Sequence, residues 1–442
     1  MMLVTFKNTG MIEEANIRFE GLTVIAGEND TGKSTVGKLI FAIVKTFNRY
    51  ERDAAMYRLK EVQSLIDEYY FAFRKRYTER SILEAGKTFF DELTNDALGL
   101  IDNSRPIEES RAVIFEKVKS FVETVRRSSD VEVTLEDLPN LIGSLIGSKP
   151  SKEEVYKRTL RNYLVSLFSD KIGNKFAKPQ EYFINGREGN NTIFEINGTG
   201  DSPGVCLHDR LCFEDATFIE TPLVANLVDT IRFSKTEFDR NGGSKKQAEL
   251  LEKAYTPEYM RDLILKLTDH PTRGNPSKIA GHIRDIIGGD FYYDPEERDF
   301  VFEKGEQTFK GLSIASGIKY MGIVSILMQA GYLDKKSILI LDEPETHIHP
   351  QWQIRFAEVL VELAKEGSTI LLTSQSPYFL EAVKLYSDEH LEKGRTAFYL
   401  SKKIPQRFTS GIGNVTHDIS PIFEILAEPF RKLETMHAKD IV

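Results

Sequence analysis

A glycine-rich segment, GENDTGKS at residues 27–34, constrains the fold of this chain more than any other feature. The preceding residues 22–26 are apolar and β-branched, which predicts a buried strand. Apolar residues at helical spacing follow over residues 36–44 and predict a helix. Because strand, glycine loop and helix in this order form the context of a phosphate-binding P-loop, the motif is more specific here than a glycine-rich turn would be.

The chemistry of this motif assigns a role to each part of it. Backbone N–H groups of the loop and the positive end of the helix dipole favour a bound phosphate. Lys33 would reach the β- and γ-phosphates of a nucleotide, and Ser34 would ligate Mg²⁺. We therefore predict a nucleoside triphosphate in contact with Gly27, Glu28, Asn29, Asp30, Thr31, Gly32, Lys33, Ser34 and Thr35.

A second block, ILILDEPE at residues 338–345, complements the first. Residues 337–341 predict another buried strand, and Asp342 stands at its end. Asp342 can hold Mg²⁺ through water or through Ser34, and Glu343 is placed to polarise an attacking water. An acidic turn after a strand is the alternative interpretation, and the P-loop upstream argues against it. Together the two blocks predict hydrolysis of a nucleoside triphosphate.

Three motifs in the second half of the chain carry a family resemblance. DEPETHIHP at residues 342–350 resembles the Walker B segment and following loop of ABC-type ATPases, and more narrowly those of the OLD-like and SMC-like branch. LSIASGIK at 312–319 and TSQSP at 373–377 stand where that family carries its signature and its switch loop. The resemblance implies an α/β fold, an ABC-type P-loop NTPase head with an antiparallel β-layer and helical insertions. It also implies ATP and Mg²⁺ as cofactors.

The resemblance further implies that ATP is sandwiched between two subunits, with Lys33, Ser34, Asp342 and Glu343 acting in one subunit. Residues of the partner's signature would contact the same ATP, and here these are Ser316, Gly317 and Lys319.

Two residues depart from the family pattern. Ala315 occupies the column where the family carries a serine, so Ser316 or backbone N–H groups of the following helix would make the contact instead. Gln375 replaces the histidine of the switch loop, and an amide can bind a phosphate oxygen but cannot become cationic. With Glu343, Lys33 and Gln375 as its catalytic residues, the protein is expected to be a slow or partner-regulated ATPase.

The histidines after Walker B allow a different interpretation. Glu345, His347 and His349 alternate along the chain, and alternate residues of an extended segment share a face, so they could ligate a metal. Besides Glu345 and the two histidines, no further strong metal ligand stands nearby in the sequence. We favour hydrogen bonding within a loop at a subunit interface.

Composition and periodicity suggest how the chain is organised. A helical pattern follows the P-loop helix, but its first stretch would reach at most roughly 60 Å at 1.5 Å per residue, which argues against SMC-type coiled-coil arms. We predict five segments: residues 1–48 as the N-terminal lobe of the ATPase head, 49–175 as a helical insertion, 176–234 as the β-layer of the head, 235–287 as a second helical insertion and 288–442 as the C-terminal lobe with signature, Walker B and switch loop.

Charge, cysteine content and hydropathy limit the surroundings of the protein. The formal net charge is −9, which argues against a globally basic nucleic-acid coat, although local basic stretches would favour nucleic acid as a partner if they converged on one face. Cys206 and Cys212 lack metal or redox spacing, and no apolar run is long enough for a membrane span. We expect a cytoplasmic protein without a membrane partner.

The function predicted from the sequence is ATP binding and hydrolysis coupled to formation of a homodimer or higher homo-oligomer. We expect no fused Toprim nuclease, so the output would pass through a separately encoded effector such as a nuclease. The resemblance to OLD-like ATPases suggests a bacterial anti-phage component of the Septu, PARIS or retron kind. Two alternatives stay open: a RecF-like repair or recombination ATPase that binds DNA, and an ATP-bound assembly scaffold with little turnover.

Overall fold

The computed structural model describes residues 1–102, 107–128, 135, 137–147, 151–168, 172–174, 176, 181–199, 202–230, 256–269 and 277–439. The chain forms two compact units. The first comprises Met1–Asn48 together with Leu160–Val442, and the second comprises Arg49–Thr159. The second unit lies inside the segment 49–175 that the sequence predicts as a helical insertion.

The described strands follow one another along the chain as β1 Met2–Thr9, β2 Ile12–Phe19, β3 Leu22–Gly27, β4 Glu181–Glu188, β5 Asn191–Thr199, β6 Ser202–Leu207, β7 Asp215–Ile219, β8 Asp290–Asp294, β9 Asp299–Lys304, β10 Gln307–Lys310, β11 Ser337–Asp342, β12 Thr369–Ser374, β13 Thr396–Lys403 and β14 Ser410–Asn414.

The described helices are α1 Lys33–Asn48, α2 Tyr50–Arg76, α3 Arg80–Asp102, α4 Ile107–Ser128, α5 Leu138–Gly147, α6 Lys152–Phe168, α7 Glu258–Thr268, α8 Lys278–Ile287, α9 Ser316–Gln329, α10 Pro350–Glu366, α11 Pro377–His390, α12 Ser420–Leu426 and α13 Glu428–Lys439, with short 3₁₀ turns at Pro222–Asn226, Gly311–Ser313 and Pro344–His347. Within these ranges, no helix is both long enough and apolar enough to span a bilayer.

Eleven of the described strands form one mixed sheet in the order β6-β5-β4-β1-β2-β14-β13-β3-β12-β11-β7. Strands β13, β3, β12, β11 and β7 run parallel to one another, whereas β6, β5, β4, β1 and β2 run antiparallel to one another. Strand β14 joins the two groups, antiparallel to β13 and parallel to β2. The antiparallel strands therefore extend the parallel sheet. Strand β7 lies at the opposite edge, beside β11, although the sequence analysis placed it with the β-layer of residues 176–234.

Strands β3, β11 and β12 are buried along their whole length, as their continuous apolar sequences require. Helix α1 covers one face so closely that a Cβ on Gly37 would lie 2.9 Å from the side chain of Ile340. Because neighbouring residues of a strand face opposite ways, Leu339 and Leu341 face the other side, where they pack with α9 and α10. The strands predicted over 22–26 and 337–341 are confirmed as β3 and β11.

The second unit has an apolar core of its own, built from helices α2–α5. Phe89 and Phe121 stack in this core with their ring centroids 4.0 Å apart. Of the predicted second insertion, helices α7 and α8 contribute residues such as Leu263 and Ile283 to the core of the first unit. Residues 235–255 and 270–276 of this segment lie outside the described residues.

Candidate active site

The two sequence blocks meet at one edge of the parallel sheet. Asp342 at the end of β11 is paired with Thr373 of β12, and Ser374 of β12 is paired with Ala26 of β3. The P-loop therefore follows β3 at the same edge where β11 ends in Asp342 and Glu343. This is the edge where ligands bind in open α/β sheets, because the carboxyl ends of parallel strands and the adjoining helix N-termini converge there.

The two glycines of the P-loop are required by its backbone. Gly27 has φ 145° and Gly32 has φ 86°, values that residues with a side chain rarely adopt. A Cβ on Gly27 would lie 2.2 Å from the carbonyl oxygen of Ser401, and one on Gly32 would lie 2.7 Å from Cγ1 of Ile12. The loop can hold this shape only with glycine at both positions.

Two serines from strands β13 and β14, late in the chain, hydrogen-bond to the backbone of the P-loop. The hydroxyls of Ser401 on β13 and Ser410 on β14 both donate to the carbonyl oxygen of Thr31, at 2.8 and 2.7 Å. The hydroxyl of Thr31 donates in turn to the carbonyl oxygen of Glu28, at 2.8 Å. These bonds fix the loop from inside, and the sequence analysis identified neither serine.

The ammonium of Lys33 lies between the P-loop and Glu343. Its Nζ donates to the carbonyl oxygens of Gly27 and Glu28, at 3.0 and 2.7 Å, and lies 3.5 Å from Oε1 of Glu343. Only 4% of the side chain is exposed. Burial lowers the pKa of Lys33, and the neighbouring Glu343 opposes that shift.

Ser34 and Asp342, the two predicted Mg²⁺ ligands, are brought together. Asp342 is 8% exposed and accepts a hydrogen bond from the hydroxyl of Thr373, at 2.6 Å. Burial raises the pKa of Asp342, while the hydroxyls of Thr373 and Ser34 act in the opposite direction. A hydroxyl and a carboxylate beside a phosphate-binding loop supply the hard oxygen ligands that Mg²⁺ prefers.

Glu343 adopts an unusual backbone conformation. Its φ of 46° and ψ of 52° are left-handed, which costs a residue with a Cβ of order 1 kcal/mol. Its N–H donates to both the carbonyl and hydroxyl oxygens of Thr373, at 3.2 and 3.0 Å. Thr346 binds the Glu343 carbonyl oxygen through its hydroxyl, at 2.8 Å. These bonds hold the strained residue with its carboxylate toward Lys33.

Gln375 joins three parts of the site. Its Nε2 donates to Oε1 of Glu343 at 2.5 Å and to Oδ1 of Asn29 at 2.6 Å. One amide therefore connects the loop after β12, the end of β11 and the P-loop. A hydrogen bond to a carboxylate is among the stronger ones available to an amide, so Gln375 orients Glu343.

Glu345 faces the loop after β12. Its Oε1 accepts hydrogen bonds from the hydroxyl of Ser374 and the N–H groups of Gln375 and Ser376, at 2.8, 2.6 and 3.2 Å. Burial raises the pKa of Glu345, and these hydrogen bonds oppose the shift. The sequence analysis considered this residue only as a metal ligand.

The alternative metal site after Walker B is not formed. The ring of His347 stacks on Tyr320, and Nδ1 of His349 accepts the N–H of Gln351 at the start of α10. Across the described ranges, the group of side chains close enough to share a metal ion is His282, Glu358 and Glu362, which excludes both histidines.

The signature segment begins helix α9. Ser316 is the first residue of the helix and half-buried, and Gly317 packs so closely that a Cβ there would lie 3.0 Å from the carbonyl oxygen of His347. Lys319 is buried, and its Nζ donates to Oδ1 of Asn226 at 2.8 Å. Burial lowers the pKa of Lys319. The structure thus places the Lys319 ammonium inside its own subunit, whereas Ser316 lies nearer the surface.

A group of four charged side chains, the α1 anchor, ties the P-loop helix to its neighbours. Lys45 of α1 binds Asp215 of β7 and Asp262 of α7, at 2.5 and 2.7 Å. Lys266 of α7 contacts the same two carboxylates, at 2.5 and 3.1 Å. Both lysines are almost completely buried, and the four charges balance.

Comparison with known proteins agrees with the motifs in part of the chain. A family model described as "AAA domain, putative AbiEii toxin, Type IV TA system" matches residues 291–381. Among curated proteins, none matches this chain.

Similar solved structures include SMC head domains. The one from Thermotoga maritima is 10% identical with a TM-score of 0.39, over 94% of this chain and 99% of that one. One with an extended coiled coil, bound to the C-terminal domain of ScpA and derived from Pyrococcus furiosus, is 11% identical with a TM-score of 0.39, over 97% and 99%.

The sheet, the P-loop and the acidic strand end define the class of this protein. It contains an α/β domain of the P-loop type, with the glycine-rich loop after β3 and the acidic pair after β11.

Proposed function

We propose that this protein binds ATP with Mg²⁺ and hydrolyses it to ADP and phosphate. One observation carries the proposal: Lys33 and Ser34 of the P-loop lie against Glu343 and Asp342 at one sheet edge. The Lys33 ammonium is 3.5 Å from the Glu343 carboxylate, and the Ser34 hydroxyl lies close enough to Asp342 to lower the pKa of that carboxyl. A cation, a metal-ligand pair and a base in such proximity are the parts that phosphoryl transfer to water requires.

Each residue has a distinct role in this proposal. Lys33 binds the β- and γ-phosphate oxygens, exchanging its bonds to the Gly27 and Glu28 carbonyls for them. Ser34 and Asp342 hold Mg²⁺, which neutralises charge on the phosphates when bound. Glu343 accepts a hydrogen bond from the attacking water and takes up its proton as a general base. Gln375 holds the Glu343 carboxylate in place.

Turnover is proposed to be slow or regulated. The side chain of Gln375 already binds Glu343 and Asn29, and an amide brings no positive charge to the γ-phosphate. Stabilisation of the charge that develops in the transition state would then depend on Lys33, Mg²⁺ and groups added by a partner subunit.

We propose a homodimer or higher homo-oligomer around ATP, in which Ser316 and Gly317 of one subunit contact the nucleotide of another. The position of Ser316 at the first turn of α9 supports this, because N–H groups at a helix start bind phosphate.

A role in bacterial defence through a separately encoded effector is proposed from the matched family model, whose description names a toxin of a toxin–antitoxin system.

Nucleotide titration of two lysine variants tests the binding proposal. Lys33→Ala removes the ammonium from the phosphates, and a lost charge-assisted bond corresponds to about a 10- to 150-fold weaker affinity. Lys38→Ala is the matched control, because Lys38 lies on the same helix and pairs with Glu220 at 3.0 Å. Calorimetric titration with Mg–ATP should therefore show weak binding for Lys33→Ala and near-native binding for Lys38→Ala.

Equal affinities of the two variants would refute the role of Lys33. Native binding together with no detectable turnover would instead favour an ATP-bound scaffold.

Light scattering of the native protein with and without ATP tests the assembly: the proposal requires a mass increase on addition of ATP, and a constant mass contradicts it.

A further inference from the structure

The last carboxylate of the DEPE block is buried and connects the two loops of the site. Glu345 is 9% exposed and lies in the 3₁₀ turn after Walker B. Its three hydrogen bonds all go to Ser374, Gln375 and Ser376, in the loop that follows β12. Two of the donors are backbone N–H groups, so the contact fixes the path of the loop itself.

We propose that Glu345 is a positioning residue for hydrolysis: it holds the loop of residues 374–376 so that the Gln375 amide orients Glu343. The inference rests on the proposed ATPase function. Gln375 is the only one of these three residues whose side chain reaches Glu343 in the described structure, at 2.5 Å. Its own N–H donates to Glu345 at 2.6 Å, so the backbone of Gln375 is fixed by Glu345 while its side chain fixes Glu343.

A second side chain strengthens the same connection. The buried amide of Gln353, on α10, donates to the carbonyl oxygens of Glu345 and Ile348, at 3.2 and 2.9 Å. Its own oxygen accepts the hydroxyl of Ser376 at 2.7 Å. Both ends of the 3₁₀ turn are thereby tied to the loop after β12, and Glu345 does not act alone.

The geometry shows which property of Glu345 matters. All three hydrogen bonds reach one oxygen, Oε1, and the buried Oε2 has no hydrogen-bond partner among the residues that the structure describes. An amide oxygen accepts the same bonds, whereas a side chain one methylene shorter does not reach the loop. The reach of the acceptor is therefore required, and the negative charge is not.

Steady-state ATPase kinetics of three variants test the inference. Glu345→Ala and Glu345→Asp should lower kcat by about tenfold or more, the effect of one misplaced charge-assisted bond, with KM for ATP changed less than about threefold. Glu345→Gln should recover most of the lost rate. Glu366→Ala is the control, because that carboxylate is exposed at the end of α10.

A double variant shows whether Glu345 acts through Gln375. If it does, Glu345→Ala combined with Gln375→Ala should be no slower than the slower single variant. Multiplying effects would overturn the inference, as would full activity of Glu345→Asp beside an inactive Glu345→Gln. A native protein without turnover would refute the proposed ATPase function, whereas native turnover with an unaffected Glu345→Ala would refute only the role of Glu345.

Discussion

Replacing Asp215 should destabilise the fold by an amount that the structure allows us to estimate. Its carboxylate lies 2.5 Å from both Lys45 and Lys266 in the α1 anchor. Asp215→Asn keeps the shape of the side chain but leaves two buried ammonium groups with Asp262 as their one remaining carboxylate in that group. Removing one partner from a buried ion pair costs about 3–5 kcal/mol, because an uncompensated charge stays buried.

The neighbouring residue provides a matched control. Glu214 pairs with Lys336 at 2.8 Å, but both side chains are exposed. Exposed pairs contribute little to stability, since water screens them. Glu214→Gln should therefore be nearly neutral, although it removes the same kind of charge one position earlier in the chain.

Urea unfolding followed by tryptophan fluorescence measures the difference. Trp352 is the one tryptophan of the chain and packs against the core of the first unit, so its signal reports the unit that contains the anchor. The unfolding free energy of Asp215→Asn should be about 3–5 kcal/mol lower than that of the native protein. A loss no larger than that of Glu214→Gln would refute the reasoning.

The difference in unfolding free energy between the native protein and Asp215→Asn should depend on pH. Burial alone raises the pKa of Asp215, but Lys266 and Lys45 outweigh it and hold the pKa below its usual value of 3.8. A carboxylate with a lowered pKa stabilises the fold above its unfolded pKa and loses that contribution as pH falls through the folded value. The stability difference from Asp215→Asn should be constant near neutral pH and shrink below about pH 4.

Variants at two positions, Thr373 and Gln375, address the site itself. Thr373→Val removes the hydroxyl that binds Asp342 but leaves the Thr373 carbonyl for the Glu343 N–H, so stability should fall by about 1.5–3 kcal/mol in the same urea assay, and a neutral result would argue against an ionised Asp342. Gln375→His introduces a group that can carry positive charge, so turnover should rise at pH 6 relative to pH 8, whereas Gln375→Ala should be slower than native at both; a pH-independent ratio in steady-state assays would contradict this.

The glycine loop and the acidic strand end could be located from the sequence because each motif is local. Residues 27–34 carry their own strand and helix context, and Asp342 and Glu343 directly follow a continuous apolar strand. The residues that support the motifs could not be predicted in this way. Ser401 and Ser410 contact Thr31 only because β13 and β14 lie close beneath the P-loop in the folded sheet.

Long-range strand pairing and packing also explain the other contacts that the sequence analysis did not predict. Thr373 meets Asp342 because β11 and β12 are paired in one register, which periodicity alone does not specify. The sequence of β7, DATFI, does not specify which strand it pairs with, so its place beside β11 depends on long-range pairing. Lys319 likewise falls at a helical position, and only the turn that carries Asn226 shows where its ammonium binds.

Glu343→Gln tests the central claim most directly. The substitution keeps the size and hydrogen-bonding capacity of the side chain but removes the carboxylate that would accept a proton from water. A filter-binding assay with labelled Mg–ATP, run beside a measurement of phosphate release, should show ATP bound about as tightly as by the native protein and turnover reduced about 10²- to 10⁴-fold. Native turnover by Glu343→Gln, or loss of ATP binding together with turnover, would contradict the assignment of Glu343 as the base.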